Sequence, residues 1–265
     1  MRLLTLARDL QRRKARERQR LFVAEGIRTV EELLDAPHLS LRGAVVSPLL
    51  AATPRGAALR SRLDAAGAPV LEATERDFDS AAGTDSPQGV LAIAEQPALA
   101  LDALGDRLAG RPARLLLLDG VQDPGNVGTL LRSAAGLGAD AVVALGGTVD
   151  LWSAKVVRSA MGALFRLSTL GDTADAVLPF LAAQRIVLWG ADGTGTPVAE
   201  LASDAPDRLA VAVGNEGAGL STPVRECAAR LVAVPSSGLV ESLNVAVAAS
   251  ILLYELRPAA LRAPR

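Results

Sequence analysis

The chain has 265 residues, of which half are apolar and 22% are charged, and its formal net charge is −1. This is a globular composition for one large domain or two ordinary ones, and the short, interrupted apolar runs exclude a transmembrane segment. Cys227 is the only cysteine and His38 the only histidine, which excludes an internal disulfide, a thiolate metal cluster and a histidine-based triad.

The first 97 residues indicate helices alternating with short β runs. We predict strands at residues 21–24, 44–47, 70–72 and 89–94, and helices around residues 28–34, 57–66 and 75–81. Seven basic residues between Arg8 and Arg20 stand against only Asp9 and Glu17. This run is either a surface that meets phosphates or a solvated helix face. We therefore expect a small α/β domain over residues 1–97.

A proline- and glycine-containing stretch predicts a linker over residues 98–112, and stronger alternation follows over residues 113–265. Near-continuous apolar strands are predicted at residues 115–118, 141–145, 186–188, 209–213 and 231–234. Helices are predicted at residues 129–137 and 243–256. Such strands are buried on both faces of a mostly parallel sheet, so the second domain is expected to be α/β.

Three glycine-containing turns follow predicted strands, where an α/β sheet binds its ligands. They are residues 119–128, which lead into a helix with Arg132, residues 214–220, and residues 235–244, which enter the last helix. None has the Gly-x-Gly-x-x-Gly spacing of a dinucleotide site, and no Walker A lysine follows them. Asn126 and Ser242 could serve only as helix caps, and Asn215 could serve only as a turn residue.

The three turns together resemble the ordered motifs of the SpoU/TrmH ribose methyltransferases in the SPOUT superfamily. The matching stretches are Asp119-Gly-Val-Gln-Asp-Pro-Gly-Asn-Val-Gly-Thr-Leu-Leu-Arg132, Gly214-Asn-Glu-Gly-Ala-Gly-Leu220 and Ser242-Leu-Asn-Val-Ala-Val-Ala248. Phe22-Val-Ala-Glu-Gly26 and Thr84-Asp-Ser-Pro-Gln-Gly89 resemble the L30e-like substrate-binding domain of ribosomal-RNA members. The resemblance implies a SPOUT domain with a deep trefoil knot, preceded by that small domain.

The resemblance also implies methyl transfer from S-adenosylmethionine to a ribose 2′-hydroxyl, most simply in 23S ribosomal RNA, without a metal. The catalytic residues that it implies are Asn126, Arg132, Glu216, Ser242 and Asn244. The cofactor-binding residues that it implies are Gly214, Asn215, Glu216, Gly217, Leu220, Val234, Ser236, Leu243 and Asn244. Because a guanidinium is effectively always protonated, we interpret Arg132 as a stabiliser of alkoxide charge that also orients a phosphate or hydroxyl.

For RNA binding, we expect contacts from Arg12, Arg13, Arg16, Arg20, Arg28 and Arg132. The family resemblance implies a homodimer, and the alanine-rich helix near the end of the chain could serve as its interface or as an ordinary core helix. We expect a cytoplasmic protein, since the first 20 residues lack a signal-peptide pattern. The alternatives are a transfer-RNA methyltransferase, a non-catalytic ribosomal RNA-binding protein and a base methyltransferase of the same superfamily.

Overall fold

The computed structural model describes residues 3–258 and residue 261 of the chain. Up to residue 95 the elements are α1 (Leu3–Asp9), α2 (Arg13–Gln19), β1 (Leu21–Glu25), α3 (Ile27–Leu34), β2 (Leu41–Val46), α4 (Pro54–Ala65), β3 (Val70–Glu72), α5 (Glu75–Asp79) and β4 (Val90–Glu95). They continue with α6 (Leu101–Leu108), β5 (Ala113–Asp119), α7 (Pro124–Gly136), β6 (Ala141–Ala144), α8 (Ala154–Ser159), β7 (Ser168–Gly171), α9 (Ala174–Ala183), β8 (Val187–Pro197), α10 (Val198–Leu201), β9 (Arg208–Gly214), α11 (Thr222–Cys227), β10 (Arg230–Ala233) and α12 (Val245–Glu255). Short 3₁₀ turns lie at Pro48–Ala52, Ala163–Phe165 and Ala202–Asp204.

The chain forms two compact units, and the first comprises Met1–Ala98 together with Asp150–Arg166. Its four-stranded sheet has the order β1-β4-β2-β3, with antiparallel pairs except for β2 and β3. Strands β1, β2 and β4 carry the core side chains, among them Val23, Val45 and Ile93. The segment 150–166 belongs to this unit because α8 packs on β1 and the ring of Phe22 contacts Trp152 and Phe165.

The second unit comprises Leu99–Val149 and Leu167–Arg265. Its six-stranded sheet has the order β10-β8-β9-β5-β6-β7, and every strand pair is parallel. The central strands β5 and β9 are buried along nearly their whole length, as continuous apolar runs in a parallel sheet require. The prediction of a mostly parallel α/β sheet is therefore confirmed, whereas the trefoil knot stays a prediction.

The strands predicted from apolar runs all exist, within one to three residues at most ends, but two features were not predicted. The edge strand β7 was missed because its sequence, Ser168-Thr-Leu-Gly171, is short and half polar. Strand β8 was predicted to end at residue 188, yet it extends to Pro197.

Within the predicted linker, α6 buries Leu104 and Leu108 in the core of the second unit. The predicted outer bounds of the two domains, residues 1 and 265, lie outside the described residues.

The extension of β8 contains a wide bulge against β10. Leu231 pairs with Gly190, and the next residue, Val232, pairs with Thr196. Residues 191–195 are therefore an insertion in the ladder, within the bounds of β8. No helix of the described residues is long and apolar enough to cross a membrane.

Candidate active site

The three glycine-containing turns lie after strands β5, β9 and β10 of the second unit. Strands β5 and β9 are parallel neighbours, so Asp119 lies opposite Gly214 and their turns leave the same edge of the sheet. The third turn follows β10 and ends at Asn244, which caps α12 by accepting hydrogen bonds from the backbone N–H groups of Ala246 and Val247. This edge is where parallel α/β sheets bind ligands.

A chain of side-chain hydrogen bonds joins the three turns. The amide nitrogen of Asn126 donates to Glu216 Oε1 over 3.0 Å, and the amide nitrogen of Asn244 donates to Asn126 Oδ1 over 2.9 Å. Glu216 also accepts from the backbone N–H groups of Gln122 and Asp123, each at 3.2 Å. The structure thus brings together three of the five predicted catalytic residues, one from each turn.

The carboxylate of Glu216 is held in its ionised form. Partial burial opposes ionisation, but the hydrogen bonds from the Asn126 amide and from backbone N–H groups outweigh it, so the pKa of Glu216 lies below its ordinary value. A carboxylate with a lowered pKa and occupied oxygens is a poor proton acceptor. Glu216 is therefore suited to positioning Asn126 rather than to acting as a base.

Two further side chains brace the first turn against the second. Asp119, which is 6% exposed, accepts a hydrogen bond of 2.6 Å from the backbone N–H of Ser221. The amide of Asn215 donates to the Gly120 carbonyl over 2.9 Å, while its oxygen accepts from the N–H groups of Gly217 and Ala218. The side chain of Asn215 is thus committed to the turn. Sequence reasoning did not single out Asp119, although its place at the end of a buried strand was a usable signal.

A cleft of about 900 Å³ opens beside these turns, within the size range of small-ligand sites. It is lined by the second and third turns, by the β8 bulge and by the start of α12. Of the predicted cofactor residues, those that line it are Gly214, Asn215, Glu216, Gly217, Val234, Ser236, Leu243 and Asn244. Ser242, predicted as catalytic, lines it too.

The glycines of the cleft indicate what it can hold. A methyl group added to Gly214 would lie 2.2 Å from the backbone of Gly219, so only glycine allows the turn to close on itself. Gly193 and Gly219 are different, because a methyl group on either would meet nothing within 4 Å and would project into open space. Bare backbone around a volume of this size can read a nucleoside through amide and carbonyl groups. The cleft therefore fits S-adenosylmethionine.

The β8 bulge supplies one side of the cleft and was not predicted from the sequence. Asp192 accepts from the Thr194 hydroxyl at 2.6 Å and from the Thr194 N–H at 2.8 Å, and it pairs with Arg225. These contacts, the Thr194 hydroxyl first, lower the pKa of Asp192. The stretch Asp192-Gly-Thr-Gly195 directly after a buried strand was the available signal, but its predicted strand ended too early.

The remaining predicted site residues of this unit lie apart from the hydrogen-bond chain. Arg132 is exposed on α7, six positions after Asn126, and its side chain makes no hydrogen bond or ion pair with the described residues. Leu220 was expected in the cofactor pocket, but its side chain lies in the hydrophobic core over Gly190 and it does not line the cleft. No group of three or more metal-ligating side chains is found among the described residues.

The predicted RNA-binding arginines of the first unit are not equivalent. Arg12, Arg13, Arg20 and Arg28 are exposed, and the first two form ion pairs with Asp9 and Glu17. Arg16 is turned inward, with a side chain 6% exposed that pairs with Asp150 at 2.7 Å and donates to the carbonyls of Leu10 and Gln11. In this conformation Arg16 cannot reach a phosphate, because its guanidinium is committed to the fold.

Comparison with known proteins decides the family. The model of the SpoU rRNA methylase family matches residues 113–254, and that of the MRM3-like substrate-binding domain matches residues 5–92. The chain belongs to the SpoU rRNA methylase family. Its predicted membership is thereby confirmed, and all three glycine-containing turns lie within the matched residues.

Relatives with established names are similar over most of the chain. One is the Bacillus subtilis 23S rRNA (guanosine(2553)-2′-O)-methyltransferase RlmP, at 35% identity over 94% of each protein. Among solved structures, the SpoU methyltransferase AviRb from Streptomyces viridochromogenes, in complex with AdoMet, has a TM-score of 0.84 at 27% identity and covers 97% of each chain. An AdoMet-bound rRNA methyltransferase from Sinorhizobium meliloti has a TM-score of 0.82 at 28% identity, over 96% of this chain and 94% of that one.

Proposed function

We propose that this SpoU-family enzyme transfers a methyl group from S-adenosylmethionine to a ribose 2′-hydroxyl of 23S ribosomal RNA, in the cytoplasm. The observation that carries the proposal is the hydrogen-bond chain from Glu216 through Asn126 to Asn244 beside a glycine-lined cleft. A protein that only bound RNA would have no need of this arrangement. The Bacillus subtilis relative RlmP, which is named as a 23S rRNA 2′-O-methyltransferase, supports the choice of substrate.

The cofactor would be held by the cleft residues, mainly Gly214, Gly217, Val234 and Leu243. When bound, S-adenosylmethionine supplies a methyl group on a positively charged sulfur. The chain itself contributes alignment: Asn126 and Asn244 are fixed by Glu216 and by the α12 N-terminus, so their amides are preorganised. No metal is needed for a transfer of this kind.

Arg132 is proposed as the residue that interacts with negative charge on the RNA substrate. A guanidinium has five donors and no acceptor, so it can bind a phosphate or stabilise negative charge on the 2′-oxygen, but it cannot take up that oxygen's proton. Its side chain is exposed and unpaired among the described residues, and is therefore available to RNA. Ser242 is proposed to contact the substrate backbone, since it lines the cleft and is exposed.

The first unit is proposed to bind the RNA through the exposed residues Arg12, Arg13, Arg20 and Arg28. Aromatic residues make up only 3% of the chain, so few bases can stack on it and phosphate contacts should dominate. RNA affinity is accordingly expected to fall steeply as salt is raised. An affinity that does not change between low and physiological ionic strength would contradict this part of the proposal.

A homodimer is proposed through α7 and α12. An apolar groove of about 400 Å³ lies between these helices, lined by Thr129, Leu137, Ala246, Val247, Ser250, Ile251 and Tyr254. Val247 and Tyr254 are exposed apolar side chains of this groove. Thr129 and Arg132 are three positions apart and share one face of α7. A second copy on the groove would therefore lie next to Arg132 and could complete the site around it.

The dimer is tested by sedimentation of Val247→Asp, with Leu49→Asp as the control. Both change an exposed apolar residue to aspartate, but Leu49 belongs to the first unit and does not line the groove. Val247→Asp is expected to sediment as a monomer and to lose methyl transfer, while Leu49→Asp keeps the wild-type mass. A wild-type monomer at working concentration would contradict the dimer.

The activity is tested with labelled S-adenosylmethionine and unmodified transcripts of 23S rRNA, 16S rRNA and transfer RNA. Label at one 23S position that resists alkaline cleavage, and is absent with Arg132→Ala, is the expected result. Label on transfer RNA alone would show that the substrate is transfer RNA and not 23S rRNA. Alkali-sensitive cleavage at the labelled nucleotide would indicate base methylation, and failure to bind the cofactor would favour a non-catalytic RNA-binding protein.

A further inference from the structure

The charged side chains that line the cleft are all acidic. Among the described residues that line it, the charged ones are Asp192, Glu216 and Glu241, and none is a lysine or arginine. Glu241 is not one of the residues to which the family resemblance gives a role. Its place in the third turn, between Ser236 and Ser242, puts it on the same side of the cleft as the proposed cofactor residues Val234 and Leu243.

Two of the three carboxylates are already compensated. Asp192 pairs with Arg225 and accepts two hydrogen bonds from Thr194. Glu216 accepts from Asn126 and from the N–H groups of Gln122 and Asp123. Both have a pKa below the ordinary value because of these partners, despite some burial. Neither has an oxygen free of a partner to offer to a ligand's positive charge.

Glu241 is the exception among them. It is exposed and makes no hydrogen bond or ion pair with any described residue. The turn that carries it is also loosely held: over residues 235–243 the described contacts include one hydrogen bond, from Leu239 N–H to Ser237 Oγ at 3.5 Å. An uncompensated carboxylate on an adaptable segment can approach a cation in the cleft without losing an existing partner.

We propose that Glu241 is a specificity-determining residue that favours the cationic cofactor over its neutral product. The proposal rests on the proposed function. S-adenosylmethionine carries a positive charge on its sulfur, and S-adenosylhomocysteine carries none, while the rest of the two molecules is the same. A carboxylate at the cleft therefore stabilises the first and not the second. Its consequence for the reaction is that the cofactor competes more effectively with the product for the cleft.

The size of the effect follows from the exposure of Glu241. Solvent-exposed ion pairs contribute modestly and are screened by salt, so the preference for the cofactor over the product should fall about two- to fivefold when the charge is removed. The effect should be largest at low ionic strength. The pocket itself should keep its shape, because Glu241 holds no other residue in place.

The experiment is isothermal titration of the full chain with S-adenosylmethionine and with S-adenosylhomocysteine, for wild type, Glu241→Gln and Glu226→Gln. Glu226 is an exposed residue of α11 that does not line the cleft, so its variant controls for net charge. Glu241→Gln is expected to weaken cofactor binding and leave product binding unchanged, an effect that shrinks at high salt. Glu226→Gln should match wild type.

Other outcomes would overturn the proposal in distinguishable ways. Equal changes for both ligands, or none, would show that Glu241 does not sense the sulfur charge while leaving the methyltransferase function intact. An unchanged ligand ratio with tighter RNA binding in Glu241→Gln would show that this carboxylate faces RNA phosphates. A wild-type chain that binds neither ligand would overturn the proposed function together with the inference.

Discussion

The side-chain amide of Asn244 donates a hydrogen bond of 2.9 Å to the amide oxygen of Asn126, which lies 118 positions earlier in the chain. Asn126 passes the connection on, because its own amide nitrogen donates to Glu216. An asparagine can do both, since its side-chain amide has one acceptor end and one donor end. The arrangement fixes α7, the second turn and α12 relative to one another within the sheet edge.

Asn126→Asp is expected to break this chain at the Glu216 end. Aspartate can still accept from Asn244, but its second oxygen would face the Glu216 carboxylate without a proton between them. We expect kcat to fall by roughly 10- to 100-fold, the range for one lost hydrogen bond with an unsatisfied partner. The check is single-turnover methyl transfer with saturating cofactor, alongside thermal unfolding. Wild-type kcat in a folded variant would contradict a role for the chain.

Glu216→Gln tests the other end of the chain. Both carboxylate oxygens accept hydrogen bonds, so the new NH₂ group would face a donor wherever it points. Cofactor affinity should fall about tenfold or more. In wild type, the lowered pKa keeps Glu216 ionised, so its contribution to affinity should persist from neutral pH down to 4.5, the ordinary value for a glutamate, and fall only below it. A loss of affinity between pH 7 and that value would contradict this assignment.

Arg132→Lys separates a geometric role from a simple charge. A guanidinium can bind a phosphate or an alkoxide with two parallel hydrogen bonds, whereas an ammonium is a point charge. Removing the charge with Arg132→Ala should lower kcat by about 100-fold or more, and lysine should recover only part of it. The measurement is the pH–rate profile of the three proteins. Near-normal activity in Arg132→Lys would rule out any need for the guanidinium fork.

The sequence predicted the sheet and the three turns well, because continuous apolar strands and glycine-containing turns are local signals. It could not predict which side chains meet. Asn126 and Glu216 come together because β5 and β9 are neighbours in the sheet, and Asn244 joins them because α12 packs against α7. The bulge with Asp192 was missed since glycine and threonine predict a turn rather than an interrupted strand.

For Arg16, too, the sequence did not show which side chain would be its partner. In the sequence it is one of seven basic residues in a short stretch, and nothing there distinguishes it from Arg13. In the structure its partner is Asp150, 134 positions away and also mostly buried. Burial of a charge needs a partner from elsewhere in the fold, and a local pattern does not reveal one.

Arg16→Ala is expected to destabilise the protein rather than to weaken RNA binding directly. It would leave the Asp150 carboxylate without its cation and two carbonyls without their donor, a loss of about 3–5 kcal/mol in the free energy of unfolding. The matched control is Arg13→Ala, which removes an exposed pair with Glu17 and should cost about 0.3–0.5 kcal/mol. Equal effects of the two variants in denaturant unfolding would contradict the assignment.

Ionisation of the buried Glu25 carboxylate lowers the stability of the protein at neutral pH. The Glu25 side chain is 2% exposed, Oε2 accepts from the Gly83 N–H at 2.9 Å, and Oε1 has no partner among the described residues. Burial raises its pKa above the ordinary value of 4.5, although the Gly83 N–H and Arg158 oppose this. The folded state therefore binds this proton more tightly than the unfolded state does, and ionisation at neutral pH costs stability.

Glu25→Gln should accordingly raise Tm at pH 7, and its advantage over wild type should disappear as the pH is lowered below 4.5. Glutamine keeps an oxygen for the Gly83 N–H and removes the buried charge. Glu25→Ala is the control, since it leaves that N–H unsatisfied and opens a cavity, and it should lower Tm at both pH values. If Glu25→Gln instead lowers Tm at pH 7 as much as alanine does, the ion pair with Arg158 outweighs the cost of burying the charge.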